Sequence, residues 1–211
     1  MKLSFEMKKK CPEIICGMDI TGDEDNFKKF YELKDTMLKV ENLKKEYSLN
    51  ILWILHCVES IKTRNQNLID GFLMKSKRFG HSIKLYKYIG LIDKLKEKKK
   101  CVEINPISNQ TLRVVKDLRM HPAIGYLNYG INICINNDDP TIFNTEGVNY
   151  DFFICAACME FDLFDFKLIG LYSIESSEIS NELKKIYKEK FEEEWKLFNK
   201  DFCLEFGENI E

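Results

Sequence analysis

Short apolar runs, separated by longer charged stretches, set the hydrophobic pattern of this chain. The runs are brief and bounded by polar sequence, which is typical of strands buried on both faces. They lie at residues 14–20, 51–55, 101–105 and 131–135, and a fifth, very short strand is predicted to end at His81. Because helical segments separate most of these strands, the pattern predicts a parallel α/β sheet.

The stretches between the strands repeat apolar residues at three- and four-residue steps, which indicates amphipathic helices. Residues 26–50 and 65–76 are predicted to be largely helical, and Asn109 is predicted to cap a helix over 110–120. Residues 181–206 predict a long terminal helix, for which packing on its own domain is favoured over binding a partner. Since no repeat or linker marks a boundary, we expect one domain over 1–211.

Side chains that can bind metal ions or transfer protons follow the ends of several predicted strands. His56 and Glu59 end the second, His81 closes the next, and Asp138 and Asp139 follow the last. The carboxyl ends of parallel strands meet at one edge, where catalytic groups of barrels lie. His56, His81 and Asp138 would suit zinc, with Glu59 as a nearby acid or base. The alternative is a core strand whose His56 merely satisfies a backbone carbonyl.

Composition narrows the classes of function. The chain has 211 residues, is 45% hydrophobic and 31% charged, and carries a formal net charge of −2. This balance gives no support for nucleic-acid binding, and no apolar run approaches the length of a membrane span. The N-terminus lacks the apolar core of a signal peptide. The eight cysteines show no disulfide framework, and the Cys155–Cys158 pair is interpreted as part of the core.

Six ordered stretches can be compared with a known family: residues 18–25, 56–60, 78–82, 102–110, 117–122 and 137–140. The stretch His56-Cys57-Val58-Glu59-Ser60 stands where that family has His-Ala-Gly-Glu-Thr. In this order the stretches resemble the adenosine deaminase family. More closely, they are similar to the C-terminal part of the adenosine-deaminase-related growth factors, the secreted type-2 adenosine deaminases.

The resemblance implies a partial TIM-type (β/α)8 barrel, strands four to eight with their helices, plus the long terminal helix. It also implies zinc-dependent hydrolytic deamination of adenosine and 2′-deoxyadenosine to inosine and ammonia. His56 and Asp138 would be zinc ligands. Glu59 would pass a proton to a purine ring nitrogen, and His81 would orient the attacking water. The implied partner is a purine nucleoside, and the full-length family implies a homodimer.

Two further positions are implied to contact the substrate. The backbone at Gly22 would contact the base, and Asp139 would hydrogen-bond the far side of the purine. Val58 stands for a glycine of the family. A branched side chain there is expected to crowd the purine and stiffen the turn.

Two parts of the family pattern have no counterpart here: the first three strands of the barrel and the His-x-His zinc pair that ends strand one. Because catalytic zinc normally has at least three protein ligands, we expect the isolated chain to have no appreciable deaminase activity. The alternative is a truncated or degenerate, non-catalytic relative that binds nucleosides or a partner. The resemblance implies an extracellular protein, whereas the missing signal implies a cytoplasmic one if Met1 is the true start.

Overall fold

The computed structural model describes residues 1–60 and 66–207. The strands are β1 Gly17–Met18, β2 Leu52–Trp53, β3 Leu55–Cys57, β4 Arg78–His81, β5 Cys101–Ile104 and β6 Asn132–Ile135. The helices are α1 Lys2–Lys10, α2 Lys34–Tyr47, α3 Asn67–Leu73, α4 Ile89–Glu97, α5 Pro106–Thr111, α6 Ala123–Tyr129, α7 Pro140–Phe143, α8 Asn149–Met159, α9 Leu163–Ser176 and α10 Asn181–Phe206. Short 3₁₀ turns lie at Phe30–Leu33, Leu85–Lys87 and Leu118–Met120. The predicted start of a helix at residue 65 lies outside the described residues.

The strands pair in parallel and in the order of the sequence. β1 pairs with β2, and β3, β4, β5 and β6 form a continuous four-stranded sheet. Ile54 alone separates β2 from β3, so these two are halves of one interrupted strand. Sequential parallel strands with helices between them form part of a (β/α) barrel, which confirms the predicted α/β class.

Most predicted strands are confirmed, but the first is much shorter than expected. The apolar run 14–20 was expected to be a strand throughout, whereas only Gly17–Met18 pairs with β2. The partner β2 has only two residues, so the rest of the run has no ladder to join. Ile14, for instance, is 70% exposed. The sheet core is formed instead by β3 to β6, whose Leu55, Val102 and Ile133 are fully buried.

The predicted helix over 110–120 is wrong, and so is the capping role of Asn109. Helix α5 begins four residues earlier, at Pro106, and ends at Thr111. Proline has the backbone angle of a first helical residue and lacks the N–H that would be unpaired there, which explains the early start. Asn109 therefore lies within the helix, where its side chain is fully buried.

The terminal helix α10 has the predicted bounds and packs against α9, which itself packs on β6. A Cβ added at Gly170 of α9 would lie 2.6 Å from the Phe191 ring, so a larger residue there would require that ring to shift. Ion pairs from Lys167 to Glu192 and from Lys188 to Glu175 flank this contact. The favoured interpretation of α10, packing on its own chain, is confirmed.

Disulfide bonds and membrane-spanning helices are both absent from the described residues. All eight cysteines are free, and on α8 Cys155 is buried while Cys158 packs against the core, as predicted. Within residues 1–60 and 66–207, no helix combines the length and the apolar character that crossing a bilayer requires.

Candidate metal centre and active site

The carboxyl ends of the parallel strands open into a cavity of about 710 Å³. All six site residues predicted from the sequence line it: Gly22, His56, Glu59, His81, Asp138 and Asp139. They come from four separate strand ends, so only the barrel-like arrangement of strands can bring them together. The alternative, in which His56 belongs to a core strand and only satisfies a backbone carbonyl, is inconsistent with its place in the cavity lining.

His56 is held in place by Asp19, at the end of the neighbouring strand β1. One oxygen of Asp19 lies 2.5 Å from His56 Nδ1, and the other accepts the His56 backbone N–H at 3.0 Å. With Nδ1 engaged, Nε2 is the nitrogen available to a metal ion. Burial lowers the pKa of His56, but the hydrogen bond and charge of Asp19 outweigh it and raise the pKa to about 8. Sequence reasoning missed Asp19, because its contact with His56 joins residues 37 positions apart in the chain.

His56, His81 and Asp138 form a group that could hold a metal ion. One donor atom from each lies within 4.8 Å of the other two. Imidazole nitrogen and carboxylate oxygen are donors that a divalent transition metal accepts. The Asp19 carboxylate behind His56 is the outer partner that metal-binding histidines usually have.

His81 and Glu59 face each other beside this group. Glu59 Oε1 lies 3.5 Å from His81 Nδ1, and Asp138 Oδ2 lies 3.8 Å from His81 Nε2. Burial lowers the pKa of His81 to about 4 and raises that of Glu59 to about 7. Near pH 7 the His81 imidazole is therefore neutral, and Glu59 keeps its proton in a large fraction of the molecules. A carboxyl group in this range can both donate and accept a proton.

The acidic loop at residues 21–25, which follows β1, supports the segment that carries Glu59. Glu24 is 8% exposed, and its carboxylate accepts backbone N–H groups of Val58 at 2.8 Å and Ser60 at 3.2 Å. Asn67 donates to the same carboxylate. Glu24 therefore fixes the segment on either side of Glu59. The sequence offered no signal for this role beyond an acid in a loop that contains a glycine.

Val58 does not crowd the cavity, contrary to the sequence-based expectation. Its side chain is fully buried in the hydrophobic core and is absent from the cavity lining. Its φ of 62° is left-handed, which is costly for a β-branched residue, so the expected stiff turn is present. The Glu24 carboxylate stabilises this turn through the Val58 N–H.

Gly80 on β4 lies beside His56 in register, and a methyl group at this position would press against the imidazole. A Cβ there would lie 3.1 Å from His56 Cγ and 3.2 Å from His56 Nδ1. We therefore expect Gly80→Ala to displace the imidazole and to lower affinity for a divalent metal about tenfold or more. Calorimetric titration with the metal measures this. Gly90→Ala on α4, where a Cβ meets nothing within 4 Å, is the matched control and should leave affinity unchanged.

The sequence profile of a family described as "Adenosine deaminase" matches residues 6–194. The chain belongs to the adenosine deaminase family. Within the family it is 34% identical to adenosine deaminase 2 of Dictyostelium discoideum over 182 residues, 86% of this chain and 34% of the relative. It is 26% identical to adenosine deaminase 2 of Homo sapiens, over 95% of this chain and 40% of the relative.

Solved structures share the fold of this member of the adenosine deaminase family. An adenine deaminase from Arthrobacter aurescens superposes with a TM-score of 0.76 at 21% identity, over 92% of this chain and 58% of that one. An amidohydrolase from Burkhoderia ambifaria, solved with bound Zn, gives a TM-score of 0.78 at 15% identity, over 96% of this chain and 56% of that one. The chain thus spans just over half of these structures and about a third to two fifths of its curated relatives.

Proposed function

We propose that this chain contributes the catalytic edge of a zinc-dependent deaminase that hydrolyses adenosine and 2′-deoxyadenosine to inosine and ammonia. The observation that carries the proposal is the convergence of His56, His81 and Asp138 with Glu59 at one cavity. A protein that had lost catalysis would have no chemical reason to keep these four groups together. The family match over residues 6–194 supports the reaction class.

The residues present fit zinc. We propose His56 and Asp138 as ligands, because both have donor atoms at the cavity and His56 has a carboxylate behind it. When bound, zinc would make a nucleophilic water available near neutral pH. The Burkhoderia ambifaria amidohydrolase, which shares the fold, was solved with bound Zn.

The proton steps fall to Glu59 and His81. A protonated Glu59 would donate to a purine ring nitrogen, which makes the adjacent carbon more electrophilic. His81, neutral because it is buried, would orient the attacking water between itself and Asp138. Glu59 would then receive one proton from that water as the water oxygen bonds to the ring carbon, which returns the carboxyl group to its starting state. The second water proton would leave with the amino group as ammonia, so the protons balance.

Substrate binding is assigned to the two remaining predicted residues. The left-handed backbone at Gly22, with φ of 148°, would let the base approach the chain closely, and Asp139 would hydrogen-bond the opposite edge of the purine. Two distantly related plant structures with the same fold were solved with GMP and with IMP, which is consistent with a purine in this cavity.

We further propose that residues 1–211 form one domain, the C-terminal part of a longer barrel protein. Two ligands are too few for a catalytic zinc, so the 211-residue chain alone should not convert adenosine to inosine. Sequencing the native transcript upstream of Met1 tests this: a strand ending in His-x-His supports the proposal. By the same resemblance, the longer protein would be extracellular and homodimeric, which its presence in culture medium and its solution mass would test.

Asp19 offers a sharper test of the metal assignment. We expect Asp19→Asn to lower zinc affinity about 10- to 100-fold, because the amide loses the charge that supports His56. Competition with a chromophoric chelator measures the change. Asp201→Asn, the same substitution at an exposed position of α10, is the control. Equal affinities for the two variants would contradict the role of His56 as a ligand.

A further inference from the structure

A buried row of hydrogen-bonding groups runs from His81 away from the cavity. Asn109 Nδ2 lies 3.0 Å from His81 Nδ1, and Asn109 Oδ1 lies 3.0 Å from His121 Nε2. The row ends on the backbone, where the Ala123 N–H donates to His121 Nδ1 at 3.1 Å. His81, Asn109 and His121 are at most 2% exposed, so solvent offers them no alternative partners.

The direction of every hydrogen bond in this row follows from its backbone end. A backbone N–H can only donate, so His121 Nδ1 must be unprotonated and the proton of this neutral ring lies on Nε2. That proton faces an acceptor, which fixes Asn109 with its oxygen toward His121 and its NH2 toward His81. A flipped amide would place two donors against each other. His81 Nδ1 must then be the acceptor.

We propose that His121, acting through Asn109, is a positioning residue that fixes His81 as the tautomer with its proton on Nε2. The relevance to catalysis rests on the proposed function. In this tautomer the His81 N–H points to the side of Asp138, 3.8 Å away, where the attacking water would lie. Asn105 also contacts the ring, but its Nδ2 lies at 3.2 and 3.3 Å from the two ring nitrogens and so selects neither.

The tautomer has a consequence for Glu59. The Glu59 carboxylate lies 3.5 Å from His81 Nδ1, but that nitrogen carries no proton to donate. His81 therefore donates no proton to Glu59, and the carboxyl group can exchange its own proton with a substrate. The row separates the two neighbouring groups into a water-orienting donor and a proton carrier.

Nuclear magnetic resonance of the full 211-residue chain tests the proposal directly. The chain has three histidines, so long-range 1H–15N spectra of 15N-histidine-labelled protein can be assigned completely. We expect His81 and His121 to show an unprotonated Nδ1 and a protonated Nε2. Asn109→Asp replaces the donor that faces His81 with an acceptor, so His81 Nδ1 should gain a proton and its 15N resonance should move to the protonated range.

Control variants separate this effect from general perturbation. Asn128→Asp adds the same charge on an exposed position of α6 and should leave both tautomers unchanged. His121→Phe removes the anchor while keeping a buried ring, and should leave His81 as a mixture of tautomers with averaged 15N shifts. If Asn109→Asp does not fold, the wild-type and His121→Phe spectra still decide the question.

Two results would overturn the proposal: a protonated His81 Nδ1 in the wild-type chain, or a His81 tautomer that neither Asn109→Asp nor His121→Phe alters. Neither outcome depends on deaminase activity. A confirmed tautomer in a protein whose longer form fails to deaminate adenosine would refute the proposed function alone.

Discussion

Replacing Glu59 by glutamine is expected to lower kcat for adenosine about 1,000-fold in the longer protein, with little change in KM. The amide keeps the shape of the side chain but can neither give nor accept the proton that the reaction needs, and general acid–base catalysis typically contributes 10²–10⁴-fold. Steady-state rates of inosine formation measure the loss. Glu146→Gln, at an exposed position outside the cavity lining, is the matched control and should retain full activity.

The same variant should not be less stable, which separates lost chemistry from lost folding. Burial raises the pKa of Glu59 from 4.5 to about 7 in the folded chain, so the folded state holds this proton more tightly than the unfolded state. Ionised Glu59 therefore destabilises the fold as pH rises from about 4.5 to 7. We expect Glu59→Gln to raise the free energy of unfolding of the metal-free chain by about 2 kcal/mol at pH 8. The gain should vanish near pH 4, and urea denaturation at the two pH values measures it.

Replacing His56 by alanine is expected to lower zinc affinity by at least about 100-fold and to abolish deamination in the longer protein. Loss of an outer partner of a metal ligand already costs 10- to 100-fold, and loss of the ligand should cost more. Metal content after dialysis and inosine formation measure the two effects.

His121→Ala is the histidine control for this variant, because His121 lies behind His81 and offers no donor atom to the metal group. It should keep zinc affinity within about threefold of wild type while its His81 tautomer changes. Equal zinc affinity of the His56→Ala variant and wild type would show that the metal, if bound, lies elsewhere.

Much of the fold and of the candidate site follows from the sequence alone. Short apolar runs predict the strands β3, β5 and β6, a very short strand ending at His81 predicts β4, and polar residues at the strand ends predict the cavity lining. The prediction of the cavity lining succeeds because parallel strands necessarily place their carboxyl ends at one edge of the sheet. The alternation of residues along β3 also explains why His56 faces the cavity while Leu55 is buried.

The residues that support the site could not be predicted in the same way. Asp19, Glu24 and Asn109 act through contacts with residues 37, 34 and 28 positions away in sequence, and a local pattern carries no information about such distances. The sequence predicts Asn109 as a helix cap because asparagine favours that position. Helix α5 instead begins at Pro106, so Asn109 lies inside it, where it contacts His81 and His121.

Adenosine turnover by two proteins tests whether this chain supplies only the catalytic edge of a zinc deaminase site. One is the 211-residue chain, and the other is the longest natural product of the transcript that contains it, each assayed with zinc and with a chelator. We expect chelator-sensitive formation of inosine by the longer protein and none by the 211-residue chain. Turnover of adenosine by the 211-residue chain alone would contradict the proposed function. The absence of turnover by a longer protein that has the His-x-His strand would contradict it as well.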